Sequence, residues 1–167
     1  MTVEMENQQE DARLILNEDL IEFGLDVSNF QEAFLIMGQN FIKHKFVKET
    51  YPNALIEREK AYPTGLLTSS IGIAIPHTDP IHVIKGSMGI GVLKRPVIFK
   101  TMDTREEMEV SVIFMLAITH PSAQLKMLQK VIEIIKDDKT LLRIKESQNK
   151  KEILNLVRPF LEDIFNL

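Results

Sequence analysis

The sequence predicts a single α/β domain, α+β-like in its element order, with a mixed parallel and antiparallel central sheet flanked by helices. Three observations carry this expectation. At 167 residues the chain can bury one core and is short for two ordinary domains. Helical periodicity marks both ends of the chain, while apolar runs of strand character fill the middle. The strands between Ser87 and Ile118 follow one another too closely for helical crossovers, which argues for antiparallel neighbours and against an all-parallel, doubly wound sheet.

Residues 1–12 are polar and acidic and read as a flexible leader, with the domain spanning 13–167. Leu14-Ile15-Leu16 has the composition of a short edge strand, and a polar turn follows it. Ser28 with Gln31 three residues on forms a capping-box pattern for a helix. Phe30, Ala33, Phe34, Met37, Phe41 and Ile42 share one face of that helix, and Lys43, Lys45 and Lys48 collect at its C-terminal end, where cations suit the dipole. Tyr51-Pro52 opens a shorter helix with Ala54, Leu55 and Arg58 on one side.

Tyr62-Pro63-Thr64-Gly65 has the residues of a type I turn and leads through Thr68, Ser69 and Ser70 into Ile71-Gly72-Ile73-Ala74-Ile75-Pro76-His77. Pro76 ends that extended run and biases Ile75 toward β geometry, so His77 is delivered at a strand end. A loop over 78–82 carries Pro80 and His82. Next come a strand over 87–93 thinned by Gly89 and Gly91, an interruption at Lys94-Arg95-Pro96, and a short strand over 97–99. An acidic turn from Asp103 to Glu107 precedes a buried central strand over 110–118. Thr119-His120-Pro121 breaks the chain into a helix striped by Leu125, Leu128, Val131, Ile132 and Ile135. That helix ends at Lys136-Asp137-Asp138. The last helix starts at Asn149 with Glu152 three later and is expected to kink or divide at Pro159.

Bulk properties exclude several function classes. A net charge of -4 without a basic block argues against nucleic acid as a partner. Cysteine is absent, which excludes disulfide and thiol chemistry and fits a reducing compartment. No apolar run approaches the roughly 18 residues of a membrane span. Glu4, Glu6, Glu10 and Asp11 stand where a signal peptide needs a basic and then an apolar region, so a cytoplasmic protein is expected.

Chemistry is expected at one histidine of four. His44 lies on a lysine-rich helix end and reads as a solvated cap, and His120 reads foremost as the cap of the following helix. His77 and His82 share a loop beside a run of hydroxyls, a combination suited to phosphate. A neutral imidazole, with an ordinary pKa of roughly 6.5, accepts a phosphoryl group without a base to activate it. Phosphoryl transfer then needs positioned donors more than covalent help. Arg58, Thr64, Ser69, His82 and Gln124 are the candidate donors. A metal ion shared by His77 and His82 is the rival reading; the prolines at 76 and 80 oppose the helical presentation that such pairs use, and no HExxH occurs. Gly86, Gly89 and Gly91 make neither a dinucleotide fingerprint nor a P-loop, no GxSxG is present, and no cofactor is called for.

The segment Gly72 to His77 resembles the active-site motif of the mannitol/fructose-type enzyme IIA domains of the bacterial sugar phosphotransferase system. Arg58-Glu59 resembles that family's Arg-Glu pair. Pro63-Thr64-Gly65, Ala74-Ile75-Pro76-His77 with Ile81-His82, and Gln124-Leu125-Lys126-Met127-Leu128 are similar to the galactitol-specific branch. Mannitol-type members often carry a second histidine where Gln124 stands.

The resemblance implies an α/β domain in which His77 is the phosphorylated nucleophile, taking its phosphoryl group from the carrier HPr and passing it to a cysteine of enzyme IIB. Arg58 and Gln124 are the candidates to steady the phosphate, with Thr64, Ser69, His82 and His120 around it, and His82 or His120 stands as the alternative to the Gln124 amide. With no cysteine and no membrane span in the sequence, IIB and, through it, the membrane enzyme IIC are expected on separate chains. The alternative is a regulatory module of the same family whose His77 phosphorylation signals to a protein partner. The sugar is not legible, because IIA touches proteins and a phosphoryl group only.

Overall fold

The computed structural model describes residues 13–167; the expected leader, 1–12, lies outside them. Its strands are β1 (Leu14–Ile15), β2 (Ile21–Leu25), β3 (Gly65–Leu67), β4 (Gly72–Ala74), β5 (Ser87–Lys100), β6 (Glu107–Ala117) and β7 (Phe165–Asn166). The helices are α1 (Phe30–Lys43), α2 (Tyr51–Ala61), α3 (Pro121–Lys136), α4 (Asp138–Glu146) and α5 (Lys150–Leu161). All seven strands join one mixed sheet in the order β3-β4-β6-β5-β1-β7, with β2 also paired to β5. β5 and β6 are antiparallel, β4 runs parallel to β6, β3 returns antiparallel on β4, and β1 and β2 each lie parallel to β5. The α/β architecture is therefore the one the sequence predicts.

Several elements differ from expectation for identifiable reasons. β1 is no edge strand, since β5 flanks it on one side and β7 on the other. Arg13 ties this corner by donating to the carbonyls of Glu162, Asp163 and Phe165. β5 runs unbroken through Lys94-Arg95-Pro96, where a register shift between Val92 and Val97 absorbs the proline. α1 is capped by Asn29, whose side chain accepts from the Glu32 N–H at 2.9 Å, while the Glu32 carboxylate accepts from the Ser28 N–H. The capping box is one residue later than Ser28/Gln31 suggests. Pro159 lies inside α5 without dividing it, near the C-terminal end of the helix. β2, β3, α4 and β7 lie outside the elements that the sequence predicts.

Helices cover the sheet because strand and helix apolar faces meet. α1 buries Ala33, Phe34, Met37 and Phe41, and it lies so close to β5 that a Cβ at Gly89 would sit 2.8 Å from the Phe41 ring. Phe30, Phe34 and Phe99 stack at centroid separations of 5.4 to 5.9 Å, an aromatic cluster that adds to simple area burial. α3 turns Ala123, Met127, Val131, Ile134 and Ile135 inward. Leu125 and Ile132, expected in that stripe, are 60% and 41% exposed.

Candidate active site

His77 stands just beyond the C-terminal end of β4, and the register of that strand is held from both sides. Ile73 and Ala74 pair with Val112 and Ile113 of β6, and Gly65 to Leu67 of β3 pair with Ala74 to Gly72. Gly72 permits this fit, because a Cβ there would lie 1.9 Å from the Glu109 carbonyl oxygen. Beyond the strand, the Pro76 carbonyl accepts from the Leu116 N–H at 2.9 Å. The sheet therefore carries its ladder almost to the histidine.

The imidazole is set by one contact. Nδ1 of His77 lies 2.9 Å from the Ile75 carbonyl oxygen. A carbonyl only accepts, so in the neutral ring Nδ1 carries the proton and Nε2 presents its lone pair. Burial lowers the pKa of His77 below the usual histidine value, the Ile75 bond opposes that, and the Arg58 charge lowers it further. The ring is thus neutral at neutral pH, the nucleophilic form.

Arg58 occupies the last turn of α2, with its guanidinium 4.1 Å from the Tyr62 ring centroid. That stacking holds a fixed cation in the electrostatic reach of His77. Thr64 is bonded to the same residue that holds the ring. Its Oγ1 accepts from the Ile75 N–H at 3.1 Å and donates to the carboxylate of Glu59 at 2.9 Å, while the Thr64 N–H donates to the same carboxylate at 2.9 Å. Glu59 is only 5% exposed. Burial pushes its pKa up to about 7 against the two Thr64 bonds that pull it down. Glu59 stands out in the sequence only through its place in the Arg-Glu pair. The available signal was periodicity, since it follows Tyr51, Pro52, Leu55 and Ile56 on the buried face of α2.

Other predicted neighbours divide. β4 and β6 are parallel neighbours and the Pro76 carbonyl is bonded to Leu116, so His77 leaves the sheet at the same end from which β6 passes into α3. His120 is the N-cap of α3, its Nδ1 accepting from the Ala123 N–H, and half-buried Gln124 follows in the first turn. His82 sits in a 3-10 turn, Pro80–His82, with its Nδ1 2.8 Å from Thr50 Oγ1 and its carbonyl accepting from the Lys48 N–H; it latches the loop to the start of α2. Ser69 is not brought to His77. It lies in the β3–β4 hairpin turn, at the opposite end of β4, and donates to the Asp138 carboxylate of α4. Among the described residues, no three His, Asp or Glu side chains converge as a metal site, and no helix is long and apolar enough to cross a membrane.

A buried strand that ends in a neutral, tautomer-locked histidine with a nearby arginine is arranged for phosphoryl acceptance. The sequence model of the family described as "Phosphoenolpyruvate-dependent sugar phosphotransferase system, EIIA 2" matches residues 14–159. The chain belongs to this family. It is accordingly a phosphotransferase component of a sugar phosphotransferase system. The galactitol-specific EIIA component of Escherichia coli (strain K12) is 28% identical over 134 residues, which cover 78% of this chain and 89% of that protein. A mannitol-specific EIICBA component from Buchnera aphidicola is 40% identical over 70 residues, covering 42% of this chain and 11% of that longer protein. Among solved structures, the complex of enzyme IIA and phosphorylated enzyme IIB for mannitol from Escherichia coli superposes with a TM-score of 0.74 at 20% identity. That alignment covers 87% of this chain and 99% of the other. EIIA domains of this family work with an EIIB partner, as the complex and the fused EIICBA proteins illustrate.

Proposed function

We propose that this chain is a galactitol-type enzyme IIA that takes a phosphoryl group from phospho-HPr on His77 and hands it, in the cytoplasm, to a cysteine of an enzyme IIB on a separate chain. The observation that carries this reading is the Nδ1 contact of His77 with the Ile75 carbonyl, which leaves Nε2 as the attacking nitrogen. In the first transfer the Nε2 lone pair attacks phosphorus, and the bond from phosphorus to the donor nitrogen breaks with its electron pair returning to the donor ring. Nε2 carries no proton, so none has to leave. In the second transfer a thiolate of IIB attacks the same phosphorus and Nε2 recovers its lone pair.

Arg58 supplies a positive partner for the phosphoryl oxygens, and the N-terminus of α3, with Gln124 in its first turn, offers further donors at the same end of the sheet. Galactitol-type identity rests on the similarity to galactitol-specific EIIA components. Incubation with phosphoenolpyruvate, enzyme I and HPr should place one acid-labile phosphate on the protein, and addition of a galactitol-type IIB should discharge it. His77→Ala should abolish labelling, and stoichiometric labelling of that variant would refute the assignment. Arg58→Ala should slow transfer by about 10-fold to 100-fold, the equivalent of a charge-assisted hydrogen bond worth roughly 1.5–3 kcal/mol.

A further inference from the structure

A buried acid is wired to the ring through a single hydroxyl. Going outward from the core, the Glu59 carboxylate accepts from both the N–H and the Oγ1–H of Thr64, and Thr64 Oγ1 accepts from the Ile75 N–H. The carbonyl of Ile75 in turn accepts from His77 Nδ1. With the acid ionised, the polarity of the series is fixed from its inner end. A carboxylate accepts, so the hydroxyl donates inward, and its lone pair faces outward to the peptide N–H. The Ile75 N–H and C=O belong to different peptide planes, so the series acts by position: the Thr64 bond fixes the backbone of Ile75, and that backbone sets where its carbonyl meets the imidazole.

We propose that Glu59 is a positioning residue for phosphoryl transfer: through Thr64 and the backbone of Ile75 it keeps the His77 proton on Nδ1 and the lone pair on Nε2. This rests on the reading of His77 as the phosphorylated group. It extends that reading to a buried residue of α2. The ionised acid is the state that accepts both Thr64 donors; a proton on the carboxylate turns one oxygen into a donor and weakens the grip on Thr64.

Glu59 lines a cavity of about 270 Å³ between α1, α2 and the β5–β6 hairpin. The charged groups that face it there are Lys60 of its own helix, Lys100 of β5 and Glu107 of β6, with Phe30, Ile98 and Phe99 as apolar walls. Arg58, the preceding residue of α2, is the remaining nearby charge. Burial opposes ionisation of the acid and outweighs the two Thr64 hydrogen bonds that favour it. Glu59 therefore titrates near neutrality, and the histidine's alignment follows its charge.

The test separates alignment from stability and from the identity of the donor. Nitrogen-15 NMR of the His77 ring, which needs no phosphoryl donor, should show protonated Nδ1 and bare Nε2 in the wild type, and a mixture of tautomers in Glu59→Gln and Thr64→Val. Loading from phospho-HPr should be about ten-fold slower in both variants at pH 8 with an unchanged KM for the donor, while Thr64→Ser, which keeps the hydroxyl, stays within about two-fold of wild type. The ratio of Glu59→Gln to wild-type rate should rise toward one as pH falls below about 7, because the wild-type acid then also loses its charge. Wild-type ring tautomer together with a pH-independent rate ratio near one in Glu59→Gln would overturn the proposal. If that variant does not fold, the threonine pair decides: Thr64→Val loading as fast as Thr64→Ser overturns it equally. Failure of His77 to accept phosphate at all would instead remove the underlying reading and leave the tautomer result standing.

Discussion

Replacing Gly72 with alanine tests how the active-site motif works as packing. A Cβ at this position would lie 1.9 Å from the Glu109 carbonyl oxygen, 2.7 Å from Met108 Cε and 3.0 Å from the Glu109 carbonyl carbon. Two of these three neighbours are backbone and cannot rotate away. Ordinary C···O contact is about 3.3 Å, so β4 and β6 would have to part locally by more than about 1 Å. Separation on that scale breaks hydrogen bonds near the Ile73–Val112 and Ala74–Ile113 pairs, since N···O distances beyond about 3.5 Å no longer count.

Overpacking costs about 1–3 kcal/mol and each lost ladder bond about 1 kcal/mol, so Gly72→Ala should cost about 2–5 kcal/mol. For a domain of this size that lowers the melting temperature by roughly 5–15 °C. Because His77 is five residues further along the same strand and loop, loading with phosphate should fall as well, by more than the unfolded fraction explains. Circular dichroism melts and phosphate labelling of the same preparation measure both. A variant that melts within about 1 °C of wild type and labels at the wild-type rate would refute the close-approach argument.

The pKa of Glu59 is about 7 in the folded protein against about 4.5 ordinarily, so between these values the native state holds more protons than the unfolded chain and stability falls as pH rises, by at most about 3 kcal/mol. His77 is shifted downward and acts with the opposite sign, adding stability as pH rises toward its ordinary value of about 6.5. Denaturant titrations from pH 4.5 to 8 should show Glu59→Gln losing the falling slope and His77→Ala deepening it; an unchanged slope in Glu59→Gln would contradict the buried ionisation. Ser69→Ala, at the hairpin turn and on Asp138, should change the phosphate loading rate by less than about two-fold, as a surface substitution does. A ten-fold loss would place Ser69 in the site after all.

Local chemistry decided a good deal. The apolar run over 110–118, the helical stripe from Phe30 to Phe41 and the Ile71–His77 run ended by Pro76 all carry period and boundary signals that act over a few residues. They fixed the α/β class and set His77 apart from His44 and His120, whose places on helix ends were also legible. Short strands were not. β2, β3 and β7 are five, three and two residues long, and they exist because a neighbour supplies the other half of the ladder. For the same reason Leu14-Ile15 reads as an edge in sequence and is interior in the sheet. The α3 stripe was rotated because Leu125 and Ile132 are apolar, but only the position of the sheet determines which apolar side chains face it.

The sequence by itself determined that one histidine would be delivered at a strand end with arginine and hydroxyl donors in the same half of the chain, since proline, glycine and apolar alternation act through the backbone they belong to. Which of those donors reach the ring was a tertiary decision. Thr64 and Ser69 are five residues apart and chemically alike, yet the antiparallel β3–β4 pairing puts Thr64 under Ile75 and carries Ser69 to the far end of the hairpin. Glu59 became the anchor of the site only when α2 packed its carboxylate into the interior, because a buried acid must find its hydrogen bonds in the fold and here it found them at Thr64.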